Sequence, residues 1–141
     1  MEHSALVGEH FLNPRHVGTL PAGDPDVGTG RVEAATHGDV TRLQVRVDRV
    51  SGVIREARFK AFGCSVAIAS ASLATEWVTG RTLASALTIT ADDIADALNL
   101  SVEKTYCAEL AQSAIRAAVG DYEAKCGSSA ELRTESHRCF R

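Results

Sequence analysis

The sequence predicts an α+β domain in which a three-stranded antiparallel sheet is covered by a run of helices. Between residues 31 and 61, apolar and polar residues alternate with the period of two that is typical of half-buried strands. After Gly63-Cys64 the residues become small and helix-favouring, and the apolar spacing changes to about 3.6. Strands followed by helices indicate that the helices cover one face of the sheet.

The composition is that of a single globular domain. The chain has 141 residues, of which 45% are hydrophobic and 23% charged, and its formal net charge is −3. This charge gives no basic footprint for nucleic acid, and no apolar run approaches the roughly 18 residues that a membrane span needs. The N-terminus lacks the layout of a secretory signal. We therefore expect a cytoplasmic protein that binds neither nucleic acid nor membranes.

The strands are expected in the first half of the chain. Residues 2–12 favour a short helix that ends before Asn13-Pro14, and residues 21–30 are rich in turn-forming residues. The three predicted strands are residues 31–36, 39–48 and 53–61. In the second, the side chains of Leu43, Val45 and Val47 share one face, with polar residues opposite. Ser51-Gly52 predicts a tight turn into the third strand.

The helices are expected in the second half. They are predicted at residues 66–78, at 82–87, from Thr90 onwards, and from Glu103 or Cys107 to Lys125. Gly80 is a suitable C-terminal cap for the first, and Thr90 with Asp93 resembles a capping box. Gly127 is expected to end the last helix. We therefore place the domain at residues 1–127 and a polar, flexible tail at 128–141.

Four cysteines are spread along the chain without a close pair such as C-x-x-C: Cys64, Cys107, Cys126 and Cys139. In a chain of this kind they are expected to stay reduced, so metal or sulfur chemistry is favoured over a disulfide framework. Cys64 is placed at a strand-to-helix turn near the first unpaired amides of a helix, which favours a thiolate. Its simpler interpretation is a small residue filling a tight turn.

Other metal-capable side chains are predicted to lie near Cys64. His37 and Asp39 occupy the turn between the first two strands, at the same end of the sheet as the end of the third, and Cys107 opens the last helix. Two thiolates, an imidazole and a carboxylate would suit zinc or iron. Taken singly, His37 also fits a solvated turn residue, and Asp39 a turn residue that bonds its own backbone.

Over residues 8–125 the chain resembles the iron–sulfur scaffold family of IscU and the N-terminal domain of NifU. The resemblance is carried by six ordered segments: residues 10–18 (HFLNPRHVG), Gly38-Asp39, 58–72 (RFKAFGCSVAIASAS), 75–80 (TEWVTG), 93–95 (DIA) and Cys107. It implies an IscU-like fold and a scaffold, not an enzyme. Such a scaffold assembles a transient [2Fe-2S] cluster from iron and sulfur supplied by a cysteine desulfurase, then passes it to apo acceptor proteins.

The sequence departs from the family's pattern at the expected site. Cys64 and Cys107 match the second and third cysteines of the family, but His37 stands where the first is found. Tyr106 stands where the family usually has histidine. We expect Cys64, Cys107, His37 and Asp39 to form the ligand set, for a cluster or for zinc in the resting state. Tyr106 is expected to pack beside them with its hydroxyl toward water, because its phenol ionises near pH 10.

A second departure lies at residues 100–104 (LSVEK), which lack the two prolines that the family commonly has there. We therefore do not expect the DnaK-type chaperone that reads that segment. The alternative to a working scaffold is a non-assembling zinc-binding homologue that docks to a cysteine desulfurase and regulates it. A third interpretation, a stable electron-transfer cluster, is favoured less because the loops look exposed. The sequence leaves open the native metal, the choice between a monomer and a weak homodimer, and the roles of Cys126 and Cys139.

Overall fold

A computed structural model describes residues 5–13, 16–34 and 37–130. Its elements, in chain order, are α1 (Ala5–Leu12), β1 (Val27–Glu33), β2 (Val40–Val47), β3 (Ile54–Phe62), α2 (Ser65–Val78), α3 (Leu83–Ala86), α4 (Ala91–Leu98), a 3₁₀ turn (Val102–Lys104) and α5 (Thr105–Ala130). Apart from α1, the helices follow the three strands, as predicted. The predicted fold class, α+β with a three-stranded antiparallel sheet, is confirmed.

The sheet has the order β1-β2-β3, and both neighbouring pairs are antiparallel. On the central strand, Leu43, Val45 and Val47 are almost completely buried, so the face predicted from their alternation is the core face. Helices α2 and α5 cover this face: α2 packs against β3 and β2, and α5 packs across β1 and β2. The core therefore lies between this face of the sheet and helices α2 and α5.

The first strand begins earlier than predicted. The turn-rich residues 27–30 form the start of β1, which ends at Glu33, and residues 35 and 36 of the predicted strand lie outside the described residues. A glycine is present in this strand because α5 packs closely against it. A β-carbon at Gly30 would lie 2.5 Å from both the carbonyl oxygen of Ala114 and the amide nitrogen of Ala118. The glycine thus serves packing and not a turn.

The opposite face of the sheet is covered by the segment before β1. Gln44, only 2% exposed, accepts a hydrogen bond from the amide of Leu20 (2.8 Å) and donates to its carbonyl oxygen (2.9 Å). Its amide also donates to the hydroxyl of Thr29 (3.0 Å). A polar residue on the central strand is therefore satisfied by fixing this segment to the sheet.

Two predicted helix signals are confirmed and one prediction is wrong. Gly80 follows α2 with a φ of +90°, and Thr90 and Asp93 form a reciprocal capping box at the start of α4. Helix α5, however, continues through Gly127 to Ala130, because a single glycine in a long, well-packed helix weakens it without ending it. The predicted tail beyond residue 130 lies outside the described residues. None of the helices in the described part of the chain combines the length and apolar character needed to cross a membrane.

Candidate metal centre

The register of the sheet brings Asp39 beside the turn that carries Cys64. Val40, the first residue of β2, pairs with Phe62, the last residue of β3. The residues just outside these strands, Asp39 and Gly63-Cys64, therefore lie together at one end of the sheet. The turn before Asp39 is closed by backbone hydrogen bonds, among them one from the amide of Ala34 to the carbonyl oxygen of Asp39 (2.8 Å).

Helix α5 supplies the third residue of the cluster. Cys107 lies in its first turn, and its sulfur is 3.7 Å from that of Cys64. The Cys64 thiol also lies 3.7 Å from Oδ2 of Asp39. One ligand atom from each of these three residues falls within 4.8 Å of the other two. Two of the three are buried and Cys64 is half-buried, so the cluster opens to solvent on the Cys64 side.

The spacing of these atoms fits a single tetrahedral metal ion. Two sulfurs at about 2.3 Å from such an ion lie about 3.8 Å apart, and a sulfur and a carboxylate oxygen lie about 3.6 Å apart. Both measured distances, 3.7 Å, are close to these values. The donor set of two thiols and one carboxylate therefore suits zinc or iron, and it leaves one coordination position for a further ligand.

The Cys107 thiol and the Tyr106 hydroxyl hold their protons more firmly than usual in the metal-free protein. Burial raises the pKa of the Cys107 thiol to about 12, and the nearby Cys64 thiol acts in the same direction. Burial, with a further contribution from Cys107, also raises the pKa of the Tyr106 hydroxyl. Cys64 thus opposes the ionisation of Cys107, and Cys107 opposes the ionisation of Tyr106. A metal ion would reverse this balance, because a coordinated thiol is deprotonated by the charge of the ion.

His37 is not one of the three clustered residues, and it contacts Tyr106. It is exposed, and its imidazole stacks on the ring of Tyr106 with a centroid distance of 3.8 Å and an angle of 12° between the planes. The Tyr106 hydroxyl donates a hydrogen bond to Oδ2 of Asp39 (3.1 Å). Asp39, Cys64 and Cys107 therefore lie close to one another. His37 is connected to them only through Tyr106, which stacks on His37 and bonds to Asp39.

Two features of Cys64 and Cys107 bear on their chemistry. Cys64 is the N-cap residue of α2, as its position at the strand-to-helix turn predicted, but its side chain makes no capping hydrogen bond. The thiol is directed instead toward Asp39 and Cys107. No disulfide joins the cysteines in the described part of the chain. Cys126 is buried in the core cluster away from this site, and Cys139 lies outside the described residues.

Sequence reasoning predicted one side chain of this site with the wrong contact and missed one residue. The prediction that the Tyr106 hydroxyl points to water is wrong, because the hydroxyl donates to Asp39. The sequence signal for this contact is a polar aromatic residue, Tyr106, directly before Cys107. Gly63 was also missed as a site residue. Its φ of +146° and its position directly before Cys64 mark it as a residue that brings the backbone close to another group.

Comparison with known proteins connects this geometry to a protein family. The model of the NifU-like N terminal domain matches residues 2–129. The chain is 54% identical over 127 residues to the iron-sulfur cluster assembly scaffold protein IscU of Azotobacter vinelandii, covering 90% of this chain and 98% of that protein. It is 47% identical over 125 residues to the protein of the same name from Escherichia coli strain K12, covering 89% and 97%.

The fold also matches a solved structure. The N-terminal part of a nitrogen-fixing NifU-like protein from Brucella abortus superimposes with a TM-score of 0.67, covering 86% of this chain and 94% of that one. The two sequences are 19% identical. At this level of identity the likeness concerns the fold.

Proposed function

Because the chain belongs to the NifU-like N-terminal domain family, we propose that it is an iron–sulfur cluster assembly scaffold. One observation carries the proposal: Asp39, Cys64 and Cys107 lie at distances that suit a single metal ion. It is supported by high identity to proteins named as scaffolds of this kind over nearly their whole length. In this role the protein builds a transient [2Fe-2S] cluster as cargo and does no catalysis of its own.

Each residue has a distinct part in this proposal. Cys64 and Cys107 hold iron through sulfur, which is the donor that iron–sulfur clusters use most. Cys64 is the more accessible of the two thiols and therefore the one to which sulfur is delivered. Asp39 contributes a hard oxygen donor, which binds less firmly than a thiolate and keeps the site labile for transfer. His37 supplies the fourth donor.

The donor set has consequences for the cargo. Two thiolates place less negative charge on a cluster than four, and imidazole raises the potential of a [2Fe-2S] centre, as in Rieske proteins. We propose that zinc occupies the same donors in the resting state, since two sulfurs, a carboxylate oxygen and an imidazole nitrogen are all zinc ligands. Iron and sulfur then replace it during assembly.

The partners follow from the same proposal. A cysteine desulfurase supplies sulfur to the exposed side of the centre, and apo iron–sulfur proteins receive the cluster. The protein works as a monomer or a weak homodimer. We do not propose a DnaK-type chaperone, because Val102–Lys104 form a 3₁₀ turn in a segment without prolines. The names of the relatives favour a scaffold over a zinc-binding homologue that only docks to a desulfurase.

Reconstitution of the purified protein tests the proposal. The protein is incubated without oxygen with iron, cysteine, a cysteine desulfurase and a thiol reductant that converts persulfide sulfur to sulfide, and its optical and Mössbauer spectra are recorded. Wild type and the Cys126→Ala control are expected to show a [2Fe-2S] spectrum, whereas Cys64→Ala and Cys107→Ala lose it. Cys126 is the matched control because it is a buried cysteine outside the cluster. A protein that retains zinc and gains no cluster would contradict the proposal.

The proposed role of His37 as a metal ligand is tested with a separate variant. In His37→Ala, an exposed position changes without any loss from the core. If the imidazole is the fourth donor, the optical and Mössbauer spectra shift or disappear. An unchanged spectrum would restrict the protein ligands to Asp39, Cys64 and Cys107.

A further inference from the structure

The side chain of Tyr106 contacts both residues that flank Gly38. The face of its ring stacks on the imidazole of His37, and its hydroxyl donates to the carboxylate of Asp39. The two contacts use different parts of one side chain. Tyr106 therefore connects an exposed residue of the turn to a buried member of the metal-binding cluster.

We propose that Tyr106 is a positioning residue for the metal centre. Its hydroxyl fixes the carboxylate of Asp39 toward the two thiols, and its ring holds the imidazole of His37 beside them. The inference rests on the proposed function, since it concerns the same donor atoms. It assigns to Tyr106 a role that acts through other residues, without coordination by the phenol itself.

The hydrogen bond to Asp39 carries the first half of the proposal. Asp39 is only 5% exposed, and a buried carboxylate needs donors to offset the loss of water. Its Oδ2 atom accepts the hydrogen bond from the Tyr106 hydroxyl and also lies 3.7 Å from the Cys64 sulfur. The bond therefore holds the oxygen that faces the cluster in place. Hydrogen bonds of this kind orient metal ligands and typically change metal affinity 10- to 100-fold.

The stack with His37 carries the second half. A histidine on an exposed turn has several rotamers available, and packing against an aromatic face restricts them. The nearly parallel arrangement keeps the imidazole against the ring of Tyr106, whose hydroxyl bonds to Asp39. Three clustered residues leave a tetrahedral ion with one open position, and the positioned imidazole can fill it.

Cobalt(II) binding to the metal-free full-length protein tests the proposal. Thiolate-to-cobalt absorption bands report binding, and NMR shifts of the His37 ring protons report the stack. Tyr106→Phe removes the hydroxyl and keeps the ring, so we expect cobalt affinity to fall about 10- to 100-fold while the His37 ring-current shift persists. Tyr106→Leu is expected to lose the shift as well. The control is Tyr122→Phe, whose site lies about 24 Å further along α5 and should leave cobalt affinity unchanged.

A double-mutant cycle separates positioning from a general structural effect. If Tyr106 acts through Asp39, Tyr106→Phe has no further effect on cobalt affinity in an Asp39→Ala background. Equal cobalt affinity of Tyr106→Phe and wild type, or fully additive losses in the double variant, would overturn the proposal. Tyr106→Leu changes a half-buried residue. His37→Ala removes the same stack by a change at an exposed position, and it is therefore the second variant in which the stack is absent.

The outcome is independent of cluster transfer. A protein whose cobalt affinity depends on Tyr106 through Asp39, but which delivers no cluster, supports the positioning role and contradicts the scaffold function. A protein that delivers clusters and binds cobalt equally well with phenylalanine at position 106 contradicts the positioning role alone.

Discussion

A β-carbon at Gly63 would lie 2.5 Å from Cγ of Asp39, and 2.7 and 2.9 Å from its carboxylate oxygens. The carboxylate thus occupies the space that any other residue at position 63 would need. The backbone at Gly63 also has a φ of +146°, which side chains rarely allow. The residue before Cys64 must therefore be glycine for Asp39 to reach the thiols.

Gly63→Ala is expected to weaken metal binding by displacing Asp39. We expect the cobalt(II) affinity of the metal-free protein to fall at least about 10-fold, as it does when an orienting contact of a ligand is lost. The matched control is Gly80→Ala, because Gly80 also has a positive φ but has open space around it. Both variants should lose stability, and only Gly63→Ala should lose affinity. Equal affinities in the two variants would show that Asp39 does not need this space.

Gly30→Ala is expected to destabilise the fold. Its methyl group would meet backbone atoms of α5 at 2.5 Å, and a helix backbone cannot move aside as a flexible side chain can. We expect the free energy of unfolding in urea to fall by about 2 kcal/mol or more. The control is Gly120→Ala, on the exposed side of α5, where nothing lies within 4 Å of the new methyl group. It should raise stability by up to about 1 kcal/mol, since alanine favours helix.

Lys125→Met is expected to loosen the segment before β1. The Lys125 ammonium donates to three carbonyl oxygens, those of Ala22 (2.6 Å), Asp24 (3.0 Å) and Val27 (2.7 Å). Hydrogen bonds from a charged group contribute about 1.5–3 kcal/mol, so we expect a loss of that size in urea unfolding. Faster amide hydrogen exchange in residues 22–27 should accompany it. Lys104→Met, in the 3₁₀ turn, is the control; an equal loss there would argue against a specific role for Lys125.

Stability of the metal-free protein is expected to fall in alkaline solution because of Cys107. The fold raises the pKa of this thiol to about 12, above its ordinary value of 9.0. Between these values the unfolded chain releases the proton more readily than the folded chain does, so stability decreases as pH rises. One such group contributes at most about 1.4 kcal/mol per pH unit.

Urea midpoints at pH 7.5 and pH 10.5, measured with a chelator present, check this pH dependence. The difference between the two midpoints should be smaller in Cys107→Ala than in wild type. An identical difference in both proteins would show that the thiol does not contribute to it.

Most of the fold follows from periodicity, because burial of one strand face and one helix stripe leaves a clear pattern in the sequence. The core face of β2 was predictable for this reason, and the capping box of α4 was predictable from the residue types Thr90 and Asp93. The start of β1 was not, since Gly28 and Gly30 are typical of loops when their neighbours in space are unknown. The end of α5 was predicted too early because Gly127 was weighed without the packing of the preceding helix.

The candidate site was predictable in part. Antiparallel pairing of β2 and β3 requires the ends that carry Asp39 and Cys64 to meet, so their proximity follows from the strands alone. The position of Cys107 depends on how α5 crosses the sheet, and the resemblance to a family supplied that information. The hydrogen bond from Tyr106 to Asp39 depends on the rotamer of one side chain, which no sequence pattern specifies.

Transfer of a cluster to an acceptor tests the central claim most directly. The reconstituted protein is separated from free iron and sulfide, mixed with an apo-ferredoxin in the presence of an iron chelator, and the spectrum of the ferredoxin is followed. The scaffold function predicts that the ferredoxin gains its cluster faster than from iron and sulfide alone, and that Cys64→Ala delivers none. Zinc retention without a cluster, or a cluster that is bound but never released, would contradict it.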